Sequence, residues 1–371
     1  MAAIMRILAL MIKEFLSLLK DKKSRFVIIV PPLVQLLVFG YAATYDLTRV
    51  PYAVYNEDTG GAARDLLADF HGSPYFHRVA VITHQQQIAP LIDNRRALVV
   101  VHIQRQFSRN LLSGRSGSVQ VIVDGRNSNT ALIALGYVRD IIVAFNLHWD
   151  ADHHIAGPPA QLVTRAWFNP NLLSQWFVVP GIVGLLTLVV TMLVTALSVA
   201  REREQGTFDQ LLVTPFTPVE ILLGKALPGF IIGMAEATVM IVAAVWWFDV
   251  PLLGNLLTLY AGTVLFVLAA IGVGLAISAI SATMQQGLLG AFLFLVPAII
   301  LSGFTTPIAN MPQWVQWITL ADPLRYFMVI LRGVFLQATP WHLLVGQMWP
   351  MALIAAITLS VATWLFRHRS Y

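Results

Sequence analysis

Long hydrophobic stretches without charge recur along the second half of the chain. No charged residue occurs in 166–200 or in 333–366, and 226–324 holds only three. Because ionised side chains are costly in hydrocarbon, stretches of this length indicate helices that cross a membrane. Charged residues make up 12% of the 371 positions, against about 25% in soluble domains. This composition excludes an ordinary soluble enzyme and a disordered chain.

The hydrophobic pattern predicts six membrane spans, and hence a mainly α-helical membrane protein. Each span has roughly the 18 to 25 residues that a crossing needs. Small residues of the fourth span, Gly262, Gly272, Gly274 and Ala276, permit close approach of neighbouring helices. The predicted spans are 26–43, 174–200, 226–248, 256–281, 287–304 and 346–366.

Residues 44–173 separate the first two spans and have an ordinary soluble composition, with eleven Arg against ten Asp and Glu in 44–165. Their alternating periodicities predict an inserted α/β domain. Strands are predicted at 50–55, 79–83, 97–103 and 119–123, and helices at 62–70, 85–93, 106–112 and 129–146.

Lysine and arginine positions predict the orientation. Six spans place all five lysines, the N-terminal arginines, Arg201, Arg203 and the C-terminal arginines on one side. By the positive-inside rule that side is the cytoplasm. Both termini are therefore expected to be cytoplasmic, and the α/β domain extracytoplasmic.

Residues 1–25 precede the first span. Arg6, Lys13, Ser17 and Lys20 share one helical face, and apolar residues fill the rest. This pattern predicts an amphipathic helix in the cytoplasmic interface. The alternative is a signal peptide cleaved near 40–42, but the charged stretch before the apolar run is too long for one.

The inserted domain offers little chemistry. Asp150, Asp152, His153 and His154 carry metal-capable side chains, but no further ligand follows at a proper spacing. Residues 124–127 read as a turn. The chain has no cysteine, and its basic residues form no stripe for nucleic acid. We expect a docking or gating surface here, and neither a metal site nor a nucleic-acid partner.

The connection 201–225 between the second and third spans carries helix-start signals. Thr207 with Gln210, and Thr217 with Glu220, fit capping boxes. They predict two short helices separated by Thr214-Pro215. An ordinary charged interfacial loop is the alternative interpretation.

The run Arg-Glu-x-Glu-x-Gly-Thr-x-x-Gln-Leu-Leu-Val-Thr-Pro at 201–215 resembles the signature of the type 2 ABC exporter permeases. A second resemblance covers 307–314, 323–327 and 331–333. The six-span layout is similar to the YhhJ/YbhS-like group of multidrug-efflux permeases, which lie in the inner membrane. The resemblance implies a dimer with a second copy or a paralogue, a separate ABC ATPase, membrane lipid around it and, as an option, a periplasmic adaptor.

The same resemblance implies roles for particular residues. Spans two and five would line the path of a substrate that is amphipathic, drug-like or lipid-like. The segment that receives force from the ATPase would comprise Arg201, Glu202, Glu204, Gly206, Thr207, Gln210, Leu211, Thr214 and Pro215.

ATP and Mg are expected on the partner chain. The sequence has no G-x-x-x-x-G-K-[ST], and Gly224-Lys225 is followed by Ala226. The chain is therefore not expected to be an enzyme or to bind a cofactor. A secondary transporter or channel without an ATPase is one alternative, and a membrane sensor is another.

Candidate residues for the substrate path follow from the energetic cost of placing charge in a membrane and from position in the predicted spans. Glu236 lies near the middle of the third span, where a carboxylate marks either a function or a structural partner. Prolines break 305–345, which predicts short helices re-entering the outer leaflet. Arg325 and Arg332 share a face there, suited to an anionic headgroup or to snorkelling. The aromatic candidates are Phe177, Phe292 and Phe294.

Overall fold

The computed structural model describes residues 2–20, 22–42, 47–153, 168–169, 173–208 and 216–369. The chain divides into two compact units. Met1–Thr44 and Ala166–Tyr371 form the first, which we call the membrane unit, and Tyr45–Arg165 forms the second, the inserted unit.

Two helices open the membrane unit, α1 (Ala2–Lys20) and α2 (Lys22–Ala42). Helix α1 buries Leu10, Glu14 and Leu18, which the four-residue spacing places on one face. The predicted N-terminal helix is therefore present, while its position at the membrane surface remains a prediction.

The inserted unit contains the eight predicted elements, with small shifts at their ends. Its strands are β1 (Val50–Asn56), β2 (Phe76–Ile82), β3 (Val99–Ile103) and β4 (Val119–Val123). Its helices are α3 (Gly61–Gly72), α4 (Ile88–Asp93, preceded by the 3-10 turn Gln85–Gln87), α5 (Phe107–Leu112) and α6 (Ser128–Asp152).

The four strands form one sheet in the order β2-β1-β3-β4, parallel except for the β3–β4 pair. Tyr52 is opposite Val99, and Val99 is opposite Val123. Alternate residues of β1 enter different cores, because successive side chains of a strand point to opposite faces. Tyr52 packs with α3, α5 and α6, and Ala53 with α4. The predicted α/β architecture is thus a sheet with helices on both faces.

The rest of the membrane unit is helical. Its helices are α7 (Ser174–Glu204), α8 (Pro218–Trp246), α9 (Leu256–Ile280), α10 (Met284–Leu301), α11 (Gln313–Ile318), α12 (Pro323–Leu336) and α13 (Trp341–Arg369).

Six described helices are long and apolar enough to cross a membrane, and five of them match predicted spans. These five are α7, α8, α9, α10 and α13. The sixth is α6, which packs Ala134, Val138 and Phe145 into the core of the inserted unit. The predicted first span, 26–43, is the exception. Residues 26–42 of it lie in α2, whose described apolar stretch is Ile29–Tyr41.

Glycines of α9 lie where it packs against its neighbours, as predicted. A Cβ on Gly274 would lie 2.0 Å from Thr195 Oγ1 of α7, and one on Gly272 would lie 2.8 Å from the backbone nitrogen of Leu359 in α13. Substitution would therefore push these helices apart.

The proline-rich segment 305–345 is broken, as predicted. It contains the 3-10 turns Ile308–Asn310 and Thr319–Ala321, the short helix α11, and α12. Asp322 caps α12 by accepting a hydrogen bond from Leu324 N at 3.0 Å. Most of α12 is buried against α7 and α9, so this part of the segment is core.

Candidate functional site: the charged end of helix α7

The last turn of α7 contains four consecutive charged residues, 201–204. Three of them, Glu202, Arg203 and Glu204, contact residues of other helices or of the connection between two helices. The predicted coupling segment is therefore the place where α1, α8, α9 and α10 are joined to α7.

Glu202 belongs to a buried ion-pair cluster. Its Oε2 lies 2.6 Å from Lys225 Nζ of α8, and its Oε1 pairs with Lys13 of α1. Glu14 Oε1 lies 2.9 Å from the same Lys225 Nζ. The side chain of Lys225 is 0% exposed. Two carboxylates thus compensate two ammonium groups, which is the condition for burying charge at a tolerable cost.

Helix α1 runs along the start of α8 beside this cluster. Arg6 Nη2 lies 3.4 Å from Glu220 Oε1. A Cβ on Gly224 would lie 2.4 Å from Leu10 Cδ2, so only glycine permits this approach. Burial raises the pKa of Glu14, and the Lys225 ammonium opposes that rise.

Arg203 and Glu204 reach the connection between α9 and α10. Arg203 Nη1 donates to the carbonyls of Ala279 at 2.9 Å and Ser281 at 3.2 Å, at the C-terminal end of α9. Glu204 Oε2 accepts from Met284 N at 2.7 Å, at the N-terminal end of α10. Each side chain carries the charge that the helix dipole favours at that end, since carbonyls attract cations and amides attract anions.

Gly206 ends α7 in a Schellman turn. Its φ is +68°, in the left-handed region that favours glycine. Thr207 N donates to Glu202 O at 3.0 Å, and Gly206 N donates to Arg203 O at 3.1 Å. The Gly-Thr pair of the sequence therefore fixes where the helix stops, just beyond its charged residues.

The start of α8 is the capping box predicted at Thr217 and Glu220. Glu220 N donates to Thr217 Oγ1 at 3.3 Å, and Thr217 N donates to Glu220 Oε2 at 2.8 Å. This box opens the long helix α8, so the prediction of a separate short helix here was wrong. A proline at the first helical position lacks an N–H that would have no partner within the helix. The helix that begins at Pro218 then continues without a break to Trp246. Four predicted residues lie outside the described part: Gln210, Leu211, Thr214 and Pro215.

A cavity of about 440 Å³ adjoins the cluster, with α1 on one side and α7 and α8 on the other. Lys13, Glu14, Arg201 and Lys225 contribute to its lining. Glu204, Gln205 and Gly206 are exposed, whereas Glu202 is 6% exposed. The exposed turn is available to a partner, and Glu202 lies behind it.

Two of the predicted path residues, Phe177 and Arg332, contact each other. The guanidinium carbon of Arg332 lies 4.1 Å from the ring centroid of Phe177. Arg325 instead supports the broken segment, with Nη1 bonded to Thr319 Oγ1 and 3.4 Å from Gln316 O. These contacts within the protein account for the position of the Arg325 guanidinium without an anionic lipid headgroup.

The remaining path residues are dispersed. Phe292 is 49% exposed on α10. Phe294 lines a cavity of about 460 Å³ between α9, α10 and α13. Glu236 is buried in α8 at 8% exposure and borders an apolar cavity shared with α2. The structure does not bring the six predicted path residues together into one site.

Sequence reasoning missed Glu14. It named Lys13 on one face of the N-terminal helix and Lys225 at the end of the connection 201–225, but it paired neither with a carboxylate. One signal for Glu14 was available. It lies four residues after Leu10 and four before Leu18, on the stripe that α1 buries. A carboxylate on a buried stripe requires a cationic partner.

In the inserted unit, residues 124–127 form the predicted turn, and His153, one of the residues considered for metal, contacts its own helix. Arg126 N donates to Asp124 Oδ1 at 3.1 Å, which forms the predicted turn. The hydrogen bonds and charge of Arg126 lower the pKa of Asp124 to about 2. His153 Nδ1 lies 3.0 Å from Trp149 O. Within the described residues, which leave out His154, no three metal-capable side chains lie together.

A helical unit with several helices long and apolar enough to cross a membrane defines a multi-pass membrane protein. Residues 22–364 match the ABC-2 family transporter protein domain, so the chain belongs to that family. It is similar to the probable multidrug ABC transporter permease YbhR of Escherichia coli K12, with 38% identity over 98% of this chain and 99% of that protein. For the probable multidrug ABC transporter permease YbhS the identity is 34%, over 98% and 97%. For the inner membrane transport permease YhhJ, also of that strain, it is 29%, over 96% and 95%.

Proposed function

We propose that the chain is the permease of an ATP-driven exporter that moves an amphipathic, drug-like or lipid-like substrate outward. A separate ABC ATPase binds ATP and Mg and docks on the segment 201–225. The membership of the chain in the ABC-2 family supports the ATPase partner and a dimeric arrangement. The proposal adds the direction of transport, the chemical class of the substrate and the segment on which the ATPase docks.

The charged end of α7 carries this proposal. A push on the exposed turn at Gln205 and Gly206 acts on a helix end that is bonded to four other helices. Glu202 transmits it to α1 and α8 through Lys13 and Lys225. Arg203 and Glu204 transmit it to α9 and α10. Buried ion pairs and hydrogen bonds restrict the distances between the groups that they join. We therefore expect these parts of the helices to move together.

The topology belongs to the same proposal. Both termini and 201–225 lie in the cytoplasm, and the inserted unit lies in the periplasm, where an adaptor protein can dock. The distribution of lysines supports this orientation. α2 provides the first crossing, because its 21 residues span about 30 Å as a helix.

The experiment is a gentle-detergent purification of the full chain with mass spectrometry and an ATPase assay. We expect a nucleotide-binding protein to co-purify. Gln205→Trp, on the exposed turn, should reduce its recovery. Glu202→Gln should keep the ATPase bound but uncouple hydrolysis from transport, because Glu202 lies behind the surface.

Lys20→Gln, an exposed change on α1, serves as the matched control and should alter neither property. A dimer that co-purifies with no ATPase would overturn the proposal and favour a secondary transporter. Equal loss of the ATPase in Gln205→Trp and Lys20→Gln would contradict the docking site alone.

A further inference from the structure

A carboxyl group without a partner lies in the middle of the membrane unit. Glu236 of α8 is 8% exposed, and its Oε1 has no hydrogen-bond partner among the described residues. The other buried acids of the membrane unit each contact a cation or a backbone amide, namely Glu14, Glu202, Glu220 and Asp322. Glu236 therefore differs from the acids that hold the helices together.

The carboxyl borders a cavity of about 210 Å³ between α2 and α8. Every other lining residue is apolar, among them Pro32 and Leu33 of α2, and Val239 and Met240 of α8. Leu33 and Val239 are 38% and 49% exposed on the rim, whereas Met240 is 1% exposed at the base. The cavity thus opens to the outside of the helix bundle and has its acid on the wall.

We propose that this cavity binds the ammonium head of a lipophilic amine, with Glu236 as its counter-ion. An ionised carboxylate in apolar surroundings is costly unless a cation compensates it. An ammonium supplies both the opposite charge and hydrogen-bond donors for Oε1. The apolar lining accommodates the carbons next to the nitrogen, and the open rim lets a longer chain extend outward.

This inference deepens the proposed function, since it names the chemical class of substrate that enters from the membrane. Proline helps to shape the cavity. Pro31 and Pro32 lie inside α2, where a missing N–H and a ring clash disturb regular helix geometry. The cavity lies beside this turn, and Pro32 is part of its lining.

Cavity size limits the ligand. A volume of about 210 Å³ is below the roughly 300 to 1,000 Å³ of sites that enclose a drug-sized molecule. The site therefore selects a charged head and its first carbons rather than a whole molecule. Neutral and anionic amphiphiles of equal length lack the pair with Glu236 and bind weakly.

The test uses the full chain in lipid nanodiscs, without any ATPase, and a dodecylamine that carries a diazirine on its chain. After photolysis, labelled peptides are identified by mass spectrometry. Labelling is scored on α2 around Pro32 and Leu33, because a diazirine also reacts with a carboxylate itself. We expect excess dodecylamine to suppress this labelling and dodecanol to leave it.

Glu236→Gln keeps the size of the side chain and removes its charge. We expect specific labelling of α2 to fall by at least about tenfold, as for the loss of a charge-assisted pair. Asp249→Asn is the matched control, since it removes one carboxylate from the connection that follows α8, outside the cavity. The specific labelling of α2 in this variant should equal that in the unchanged chain.

Thermal unfolding provides a second readout that does not depend on the label. Dodecylamine should raise the midpoint of the unchanged chain and not that of Glu236→Gln. Equal labelling of α2 in both chains, or equal competition by dodecanol, would show a lipid-filled groove without charge recognition and overturn the proposal. Because no ATPase takes part, a failure of the proposed ATPase docking leaves this result unaffected.

Discussion

The guanidinium of Arg332 in α12 stacks on the ring of Phe177 in α7, at 4.1 Å from the ring centroid. Nε and Nη2 of Arg332 are buried and have no hydrogen-bond partner among the described residues. The aromatic face is therefore the contact that compensates this charge. Two residues predicted to line a substrate path instead link the broken segment to the second span.

Replacing Phe177 with Leu should destabilise the membrane unit. A cation–π contact contributes about 0.5 to 2 kcal/mol, depending on its exposure, and Phe177 is 39% exposed. Leucine keeps the apolar bulk without the negative ring face. Thermal unfolding of Phe177→Leu, Arg332→Met and the double variant would give the coupling energy. Phe292→Leu, on an exposed aromatic, is the control. A coupling energy near zero would contradict the pairing.

The ion-pair cluster yields a second prediction. Lys225→Met removes the ammonium that pairs with both Glu14 and Glu202, and leaves the contacts of these carboxylates with Lys13. Removing one partner from a buried ion pair costs about 3 to 5 kcal/mol. Adding Glu14→Gln should recover part of the loss, because it removes the excess negative charge. Unfolding in detergent measures both effects.

Lys20→Met is the matched control for Lys225, since Lys20 is exposed on α1. Its effect should stay within about 0.5 kcal/mol, as for most surface changes. If Lys225→Met cost no more than Lys20→Met, the cluster would not hold α1 against α7 and α8.

A third prediction concerns the turn after α7. Gly206→Ala forces a side chain into φ +68°, which costs about 1 to 2 kcal/mol. Gly206→Asn should cost less, because asparagine tolerates this region. Hydrogen exchange of the amides of Gly206 and Thr207 should speed up in the alanine variant as the turn opens.

Gly346→Ala supplies the comparison for that change. Gly346 lies in α13, and a Cβ there would meet no atom within 4 Å. Alanine should stabilise this helix by up to about 1 kcal/mol. Similar behaviour of the two alanine variants would contradict the role of the left-handed turn.

The sequence predicts the elements better than the contacts, for a physical reason. Charge-free runs and β/α alternation are local, and they located five crossings and the α/β unit. The capping box at Thr217 is local too. The pairing of Glu14 with Lys225 joins positions 211 residues apart, and no local pattern encodes it.

The last prediction is a pH dependence of the inserted unit. Hydrogen bonds from Arg126 lower the pKa of Asp124 from its ordinary 3.8 to about 2. Burial would raise the pKa of Asp58, but the backbone amides of Ser108 and Gly60 outweigh it and hold this pKa below its ordinary value. The folded unit therefore binds fewer protons than the unfolded chain in this window. The stability that these two carboxylates contribute is present above their ordinary pKa of 3.8 and is lost as the pH drops toward about 2.

Peptic cleavage of the full chain at a series of pH values between 4.5 and 2 would follow this loss. Cleavage within 45–165 should accelerate relative to cleavage in the membrane unit, which corrects for the pH response of the protease. Asp124→Asn keeps a turn-forming side chain and removes the titrating group, so it should reduce the pH dependence. A variant as sensitive to acid as the unchanged chain would show that Asp124 does not contribute, since a group that no longer titrates cannot couple folding to protons.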